Sequence, residues 1–305
     1  MGLGLVCQHV TLVRGKPVNS LSPRALRVCD YRSGKLSPRD ILAIWHENIA
    51  SHRGLPSKLV ACGASVFRIS STLLPLWDLV DDSLKYDASV LAALSRIGSE
   101  LRAAGIRCVM HPGQFVSLSS HDPRVQASAL ADLTMHAYIL DSLGYPRTPE
   151  AAINIHGGSK AGLFDTIDTI RSLPDSIRSR ITLENDELCF ATEHLLLAHS
   201  ETGCPIVFDS HHHSLNPGRL STDQAYEIAC STWPVGIRPL QHISSSRPES
   251  VGGTLSQLRA HGDYITHIYE CQASGVRSDR IDLEIEAKAK NFAVASVRDI
   301  LFPSA

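Results

Sequence analysis

Short apolar runs that end in polar side chains alternate along the chain with longer segments of helical periodicity. A short run of Val, Ile, Leu and Phe is typical of a strand buried on both faces, and apolar residues spaced three and four apart are typical of a helix that packs on a core. Their alternation is the pattern of repeated strand–helix units. It predicts eight strands, over residues 3–6, 65–71, 107–110, 151–155, 181–183, 206–208, 238–241 and 281–285.

Helices are predicted over residues 38–49, 87–104 and 123–143, and residues 13–37, rich in Arg, Lys, Pro, Ser and Gly, are predicted to form a long loop on a rim. Strands that alternate with helices predict an α/β fold, here a (β/α)8 TIM barrel formed as one domain over residues 1–305. A doubly wound open sheet shows the same alternation. The barrel is favoured because only a closed ring brings the polar residues at nearly all strand ends to a common centre.

Composition agrees with one large globular domain. Of the 305 residues, 43% are hydrophobic, which is ample for a single core. There is no apolar stretch of about 20 residues, so no membrane span is expected. The eight cysteines are scattered without a Cys-x-x-Cys pair, which favours reduced thiols and a cytoplasmic location. We expect a monomer.

Charge is unevenly distributed although the net charge is only −2. Residues 1–60 contain nine Lys or Arg and three acidic residues, a balance of +6, whereas the rest of the chain contains 20 basic and 28 acidic residues, a balance of −8. A basic N-terminal segment is typical of a surface that contacts a phosphate backbone. A solvated basic face without a partner is the alternative.

Histidines and carboxylates cluster at the ends of the predicted strands. A lone polar residue at such a position is usually a cap, but many titratable groups at one barrel mouth would repel each other or stay unsatisfied unless cations bound them. Mixed imidazole and carboxylate ligands favour manganese, zinc or iron over magnesium or calcium. The candidate metal ligands are His111, His156, Glu184, Asp209, His212, His242 and Glu286 at strand ends, and His261 on the loop between the seventh and eighth strands.

These candidates are too many for one ion. Because carboxylates can bridge, Glu184 and Asp209 could hold two or three divalent ions at the separation that supports in-line phosphoryl displacement. The predicted catalytic residues are Glu184, Asp209 and Glu286.

From about residue 60 to residue 292 the chain resembles the UV damage endonucleases, which are related in fold to endonuclease IV and xylose isomerase. Seven motifs in order carry the resemblance: Phe-Arg-Ile-Ser-Ser (67–71), His-Pro-Gly-Gln-Phe-Val (111–116), Asn-Ile-His-Gly-Gly (154–158), Leu-Glu-Asn-Asp-Glu (183–187), Val-Phe-Asp-Ser-His-His-His (207–213), His-Gly-Asp-Tyr-Ile (261–265) and Glu-Ala-Lys-Ala-Lys (286–290).

The resemblance implies a three-metal site, often with manganese, that hydrolyses the phosphodiester on the 5′ side of UV photolesions in damaged double-stranded DNA, with other lesions or abasic sites as a wider range. The eight candidate ligands fall on the family's ligand positions. Gln114 and Phe115 fall where the family inserts a wedge into the duplex opposite the lesion. By their charge, Arg68, Lys288 and Lys290 are phosphate contacts, with a buried ion pair as the alternative.

The chain departs from the family pattern at several positions. Leu79 replaces a metal-binding histidine, with Asp78, Asp81 and Asp82 as nearby carboxylates that could substitute for it. Leu240 replaces a lysine that can be carboxylated and reach a metal, and Leu5 and His9 stand where relatives place residues that probe the lesion. Two other functions therefore stay open. One is a divergent barrel enzyme that acts on a small molecule or peptide, such as a sugar isomerase or an iron-dependent modifying enzyme. The other is an inactive DNA-binding module with a structural metal.

Overall fold

Eight parallel strands form a closed barrel in a computed structural model, which describes residues 2–14, 16–113, 116–158 and 162–303. The first strand pairs with both the second and the last strand of the barrel, which closes the ring. The predicted single-domain TIM barrel is confirmed. Its strands are β1 (Leu3–Val6), β4 (Ala64–Ile69), β5 (Arg107–Met110), β6 (Ile153–His156), β7 (Ile181–Glu184), β8 (Ile206–Asp209), β9 (Leu240–Ile243) and β10 (Asp282–Ile285), with a separate pair formed by β2 (His9–Val13) and β3 (Lys16–Leu21).

Helices follow the barrel strands, and several short helices lie in the loops. Two of the longer helices show why the sequence folds locally as predicted. Ser37 and Asp40 cap the helix that begins at Pro38, and the helix over 88–103 buries Val90, Leu94 and Leu101 on one face. The helices are α1 (Val28–Arg32), α2 (Pro38–Ala50), α3 (Leu55–Cys62), α4 (Asp82–Lys85), α5 (Ala88–Ala103), α6 (Pro123–Ser142), α7 (Leu163–Ser172), α8 (Asp175–Arg178), α9 (Thr192–Thr202), α10 (Ser210–Leu215), α11 (Thr222–Ser231), α12 (Leu255–Leu258), α13 (Glu270–Arg277) and α14 (Asn291–Leu301).

The long loop predicted for residues 13–37 is wrong over much of its length. Strands β2 and β3 pair antiparallel as a hairpin that includes residues 16–21, and α1 occupies residues 28–32. The β-branched residues at 10, 11, 13 and 18 favour extended backbone, which outweighs the Pro and Lys content of the segment. The hairpin is held against the barrel because Val10 is buried and its N–H donates to Asn291 Oδ1 (2.7 Å).

Side chains inside the barrel form three layers. At the N-terminal end of the strands lies a buried ion pair of Arg107 and Asp282. Above it is an apolar layer that includes Val66, Val207 and Leu240. The C-terminal ends of the strands carry the polar layer, which faces the mouth of the barrel, where TIM-barrel active sites are built.

In the described part of the chain, no helix has the length and apolar character needed to cross a membrane. All eight cysteines are free.

The ion pair at the N-terminal end of the barrel gives a stability prediction. Asp282 is 1% exposed, and its carboxylate lies 2.8 Å from an Arg107 nitrogen and 3.0 Å from an Arg238 nitrogen. We expect Asp282→Asn to lower the free energy of unfolding by about 3–5 kcal/mol, since it leaves the buried Arg107 guanidinium without its carboxylate. Urea denaturation followed by circular dichroism measures this change.

The matched control is Glu201→Gln, which removes one partner of an exposed ion pair with Arg171 on the surface. Exposed pairs contribute about 1 kcal/mol or less, so this variant should unfold almost as the native protein does. Equal changes in the two variants would contradict the role given to Asp282.

Candidate metal centre

Glu184, at the end of β7, lies at the centre of the polar layer and is 1% exposed. One carboxylate oxygen, Oε2, lies 3.1 Å from His111 Nε2 and accepts a hydrogen bond from Asn154 Nδ2 (2.5 Å). The other oxygen, Oε1, lies 3.2 Å from His212 Nδ1 and 3.2 Å from His242 Nδ1. Each oxygen therefore faces imidazole nitrogens, which is an arrangement suited to a carboxylate that bridges two cations.

The donor atoms fall into two clusters that share Glu184. One cluster contains His111, His156 and Glu184, and the other contains Glu184, Asp209 and His242, with the donor atoms of each within 4.8 Å of one another. These side chains come from the C-terminal ends of five successive barrel strands, β5 to β9, so the closed ring sets their spacing. Two neighbouring ions could be bound with Glu184 between them.

Two buried polar atoms support cation binding at these clusters. Among the described residues, neither Asp209 Oδ2 nor His156 Nδ1 has a hydrogen-bond partner. The other Asp209 oxygen accepts the His212 N–H (2.7 Å) at the start of α10, so Oδ2 alone is left for a ligand. An unsatisfied buried polar atom costs about 1–3 kcal/mol, which a coordinated cation would remove. The mixed imidazole and carboxylate set therefore fits manganese, zinc or iron.

The electrostatics of the centre favour opposite charges on neighbouring groups. Burial raises the pKa of the Glu184 carboxyl, but the His242 and His156 imidazoles outweigh it and hold that pKa well below its usual range. Burial lowers the pKa of His242, yet the Glu184 carboxylate outweighs this effect and raises it to about 10. A cation that binds here therefore has to displace a proton from His242, and metal binding releases protons.

Three further predicted ligands lie beside the two clusters. His212 Nε2 lies 3.6 Å from Glu187 Oε2, and its Nδ1 lies 3.9 Å from Asp209 Oδ2. On the other side of the mouth, His261 Nδ1 lies 3.7 Å from Glu286 Oε2. The structure thus brings all eight predicted ligands to one mouth.

Two of the predicted DNA contacts, Arg68 and Lys288, differ in their exposure to solvent. Arg68 is buried and forms ion pairs with Glu284 (2.7 Å) and Glu286 (2.6 Å), which is the buried ion pair that the sequence leaves open. Lys288 is exposed at the rim, after β10. Gln114 and Phe115 lie outside the described residues.

Sequence reasoning missed three groups that orient the ligands. Thr182 Oγ1 donates to Asn154 Oδ1 (2.9 Å), which directs the Asn154 amide at Glu184. Glu284 Oε2 lies 2.8 Å from His242 Nε2, on the opposite side of the ring from Glu184. Their signal in the sequence is spacing: Asn154 precedes His156 by two residues and Glu284 precedes Glu286 by two, so each pair points to the same face of its strand.

The substituted positions do not supply ligands. Leu240 is fully buried in the apolar layer. Leu79 lies at the end of a short 3-10 helix, Trp77–Leu79. Asp78, Asp81 and Asp82 are exposed, and the two donor clusters found in the described part of the chain do not include them.

One family model and several curated relatives match this chain. A family model described as UV-endonuclease UvdE matches residues 1–301. The UV DNA damage endonuclease of Deinococcus radiodurans is 33% identical over 307 residues, which cover 97% of this chain and 94% of that protein. The UV DNA damage endonuclease of Nostoc sp. is 34% identical over 242 residues, which cover 76% of this chain and 71% of that protein.

Two solved structures share the fold of this chain, at different levels of similarity. The crystal structure of SacUVDE matches with a TM-score of 0.81 and 26% identity, and the match covers 99% of this chain and 98% of that chain. A D-psicose 3-epimerase from Clostridium cellulolyticum H10 matches with a TM-score of 0.53 and 11% identity over 81% of this chain and 91% of that chain, which shows a shared fold alone.

The shared carboxylate gives a prediction about metal binding. Glu184→Gln keeps the size of the side chain but removes the charge that both clusters share, so we expect the affinity for Mn²⁺ to fall more than about tenfold. Calorimetric titration with Mn²⁺ measures this affinity, and circular dichroism checks that the fold is retained.

Glu100→Gln is the matched control, because Glu100 is exposed on α5. That variant should bind Mn²⁺ as the native protein does. Unchanged Mn²⁺ affinity in Glu184→Gln would show that Glu184 does not ligate.

Proposed function

The chain belongs to the UV-endonuclease UvdE family, and we propose that it hydrolyses the phosphodiester on the 5′ side of UV photolesions in double-stranded DNA with the help of divalent metal ions. It is a DNA-repair endonuclease. The observation that carries the metal dependence is the pair of donor clusters that share Glu184. Since every donor comes from one chain, we propose that a monomer is active, and the free cysteines support a reducing compartment such as the cytoplasm.

Manganese is the metal that the ligand set and the family resemblance favour, with zinc or iron as alternatives. One ion would be held by His111, His156 and Glu184, and a second by Glu184, Asp209 and His242. When bound, a pair of divalent ions supplies the activation of water and the stabilisation of the attacking and leaving oxygens that in-line displacement at phosphorus needs.

Three carboxylates carry the catalytic roles. Glu184 fixes the imidazoles on both sides of it, and Asp209 keeps one oxygen on the α10 N-terminus while the other faces the centre. Glu286 lies at the mouth between Arg68 and His261. Hydrolysis requires water to attack phosphorus and the leaving oxygen to gain a proton.

The two substituted positions support a smaller number of ions than the three that the family resemblance implies. Leu79 and Leu240 have no donor atom, and the guanidinium of Arg68 supplies a fixed positive charge next to Glu286 (2.6 Å). This charge lowers the need for a cation on the side of His261 and Glu286. We therefore propose two ions rather than three.

Lesion recognition is assigned to the segment that follows β5. Gln114 and Phe115 come directly after His111-Pro-Gly, so a wedge formed by these two side chains would enter the duplex beside the metal centre. Lys288 at the rim would contact the phosphate backbone.

The alternative of a small-molecule or peptide enzyme is not favoured, because the family match covers residues 1–301 whereas the similarity to sugar epimerases is limited to the fold.

The proposed metal-dependent endonuclease function gives a prediction for two quantities, the metal content and the nicking activity of the same protein sample. Protein purified without chelator should contain about two divalent ions per chain, one for each donor cluster, and should nick UV-irradiated duplex DNA. Elemental analysis and a gel nicking assay measure the two quantities.

The controls are unirradiated duplex and the Glu184→Gln variant. If the native protein nicked irradiated DNA no faster than Glu184→Gln, the endonuclease assignment would fail. Nicking with three ions per chain would contradict the two-ion proposal alone.

The wedge gives a separate prediction. Gln114→Ala should reduce the preference for damaged over intact duplex by roughly tenfold or more, since unstacking at the lesion loses its support. Competitive binding of irradiated and intact duplex measures this preference. Metal content should not change, and Gln126→Ala on α6 is the control; lower metal content in Gln114→Ala would place Gln114 at the metal centre instead.

A further inference from the structure

A cavity of about 380 Å³ lies beside the metal centre, between the loop that follows β9 and the loop that follows β10. His261 and Glu286 are among its lining residues, so it opens next to the proposed reaction site. Four cationic side chains line it: Arg247 and Arg259 from the first loop, and Lys288 and Lys290 from the second.

The charge of this cavity is not balanced from within the protein. Arg259 forms an ion pair with Glu187. Within the described ranges, Arg247, Lys288 and Lys290 form no ion pair, and the Nε of Arg247 is buried without a hydrogen-bond partner. Glu286 is the one carboxylate among the described lining residues, and it lies 2.6 Å from Arg68, which it shares with Glu284. Three cations without an ion pair therefore share the cavity with one carboxylate, which leaves positive charge in excess.

The loops that carry these cations are fixed to each other by their backbones. The Lys288 N–H donates to Gly262 O (3.0 Å) and the Ala289 N–H donates to Asp263 O (3.0 Å), which ties the second loop to the first. Within the first loop, the Arg247 N–H donates to Ala260 O (3.2 Å). The cavity is therefore preorganised and does not need to assemble around a ligand.

Lys290 has an unusual backbone. Its φ is +53°, in the left-handed region that non-glycine residues rarely adopt, and it is the residue that precedes α14. Its side chain is half-buried, and burial lowers the pKa of its ammonium group. Strain and burial of an unpaired cation both cost free energy, and an anion in the cavity would offset this cost.

We propose that this cavity binds a backbone phosphate of the DNA next to the scissile one, through cations that belong to neither donor cluster. The inference rests on the proposed endonuclease function. In chain order β9 and β10 are the seventh and eighth strands of the barrel, and the loops after these two strands, together with a helix N-terminus, are where TIM barrels commonly bind phosphate. A phosphodiester is the ligand class that matches three unpaired cations beside a nuclease centre.

The test asks whether a neutral phosphate in the DNA and the loss of a cation from the cavity remove the same contact. Lesion-containing duplexes are prepared in which a single phosphate near the scissile bond is a methylphosphonate, which has no charge. For the native protein, we expect neutralisation of the phosphate that occupies the cavity to weaken binding about tenfold, the value of one charge-assisted contact. For Lys290→Ala and Arg247→Ala, the same methylphosphonate should cause little further loss.

Salt dependence gives a second readout. Each variant should reduce the slope of log K against log salt concentration by about one. Arg96→Ala, which removes an exposed cation on α5, is the control and should retain the native response to every methylphosphonate. Because Lys288 is exposed, Lys288→Ala tests the same pairing of cation and phosphate without risk to the fold. The metal content of every variant must equal that of the native protein.

Two negative outcomes are distinguishable. If the native protein nicks damaged DNA but no methylphosphonate position couples to Lys290, Arg247 or Lys288, the phosphate site is refuted while the endonuclease function stands. If the native protein, with metal bound, neither binds nor nicks damaged duplex, the proposed function fails and the phosphate site fails with it.

Discussion

The balance of charge around one buried carboxylate governs the mouth of this barrel. Glu184 is 1% exposed, yet its pKa stays well below the usual range because imidazoles lie against both of its oxygens. A charge buried this deeply is tolerated only when its partners are held in place. The closed ring does this, since it fixes the ends of five strands around Glu184, and Asn154, Thr182 and Glu284 then fix the side chains.

The same ring separates two sets of charges. The polar layer at the mouth and the Arg107–Asp282 pair at the other end lie on opposite sides of an apolar layer that contains Val66, Val207 and Leu240. Residues far apart in the chain meet in each polar layer: Arg68 and Glu284, for example, are 216 positions apart. Barrel closure is therefore a precondition of the site and not only a scaffold for it.

Much of the fold could be predicted from the sequence because local patterns determine it. Strands β1 and β5 have the predicted bounds, and α2 begins at Pro38 behind the cap formed by Ser37 and Asp40. The β2–β3 hairpin was not predicted, since its Lys and Pro content resembles that of a loop and its stability depends on Asn291, far along the chain. The ligands were predictable as a set because all but His261, which lies on the loop between β9 and β10, are at or just after the end of a strand. Their pairing was not, because it depends on which side chains of non-neighbouring strands meet, as Glu184 of β7 and His242 of β9 do.

The apolar layer also determines how the centre exchanges with solvent. Val66, Val207 and Leu240 fill the barrel below the metal ligands, so the described structure leaves the mouth as the route for ions and water. A duplex that lies across the mouth would cover that route. We therefore expect an obligatory order of assembly: ions load before DNA, and bound DNA protects them from chelators. The apolar layer thus closes one end of the barrel, and the bound substrate would close the other.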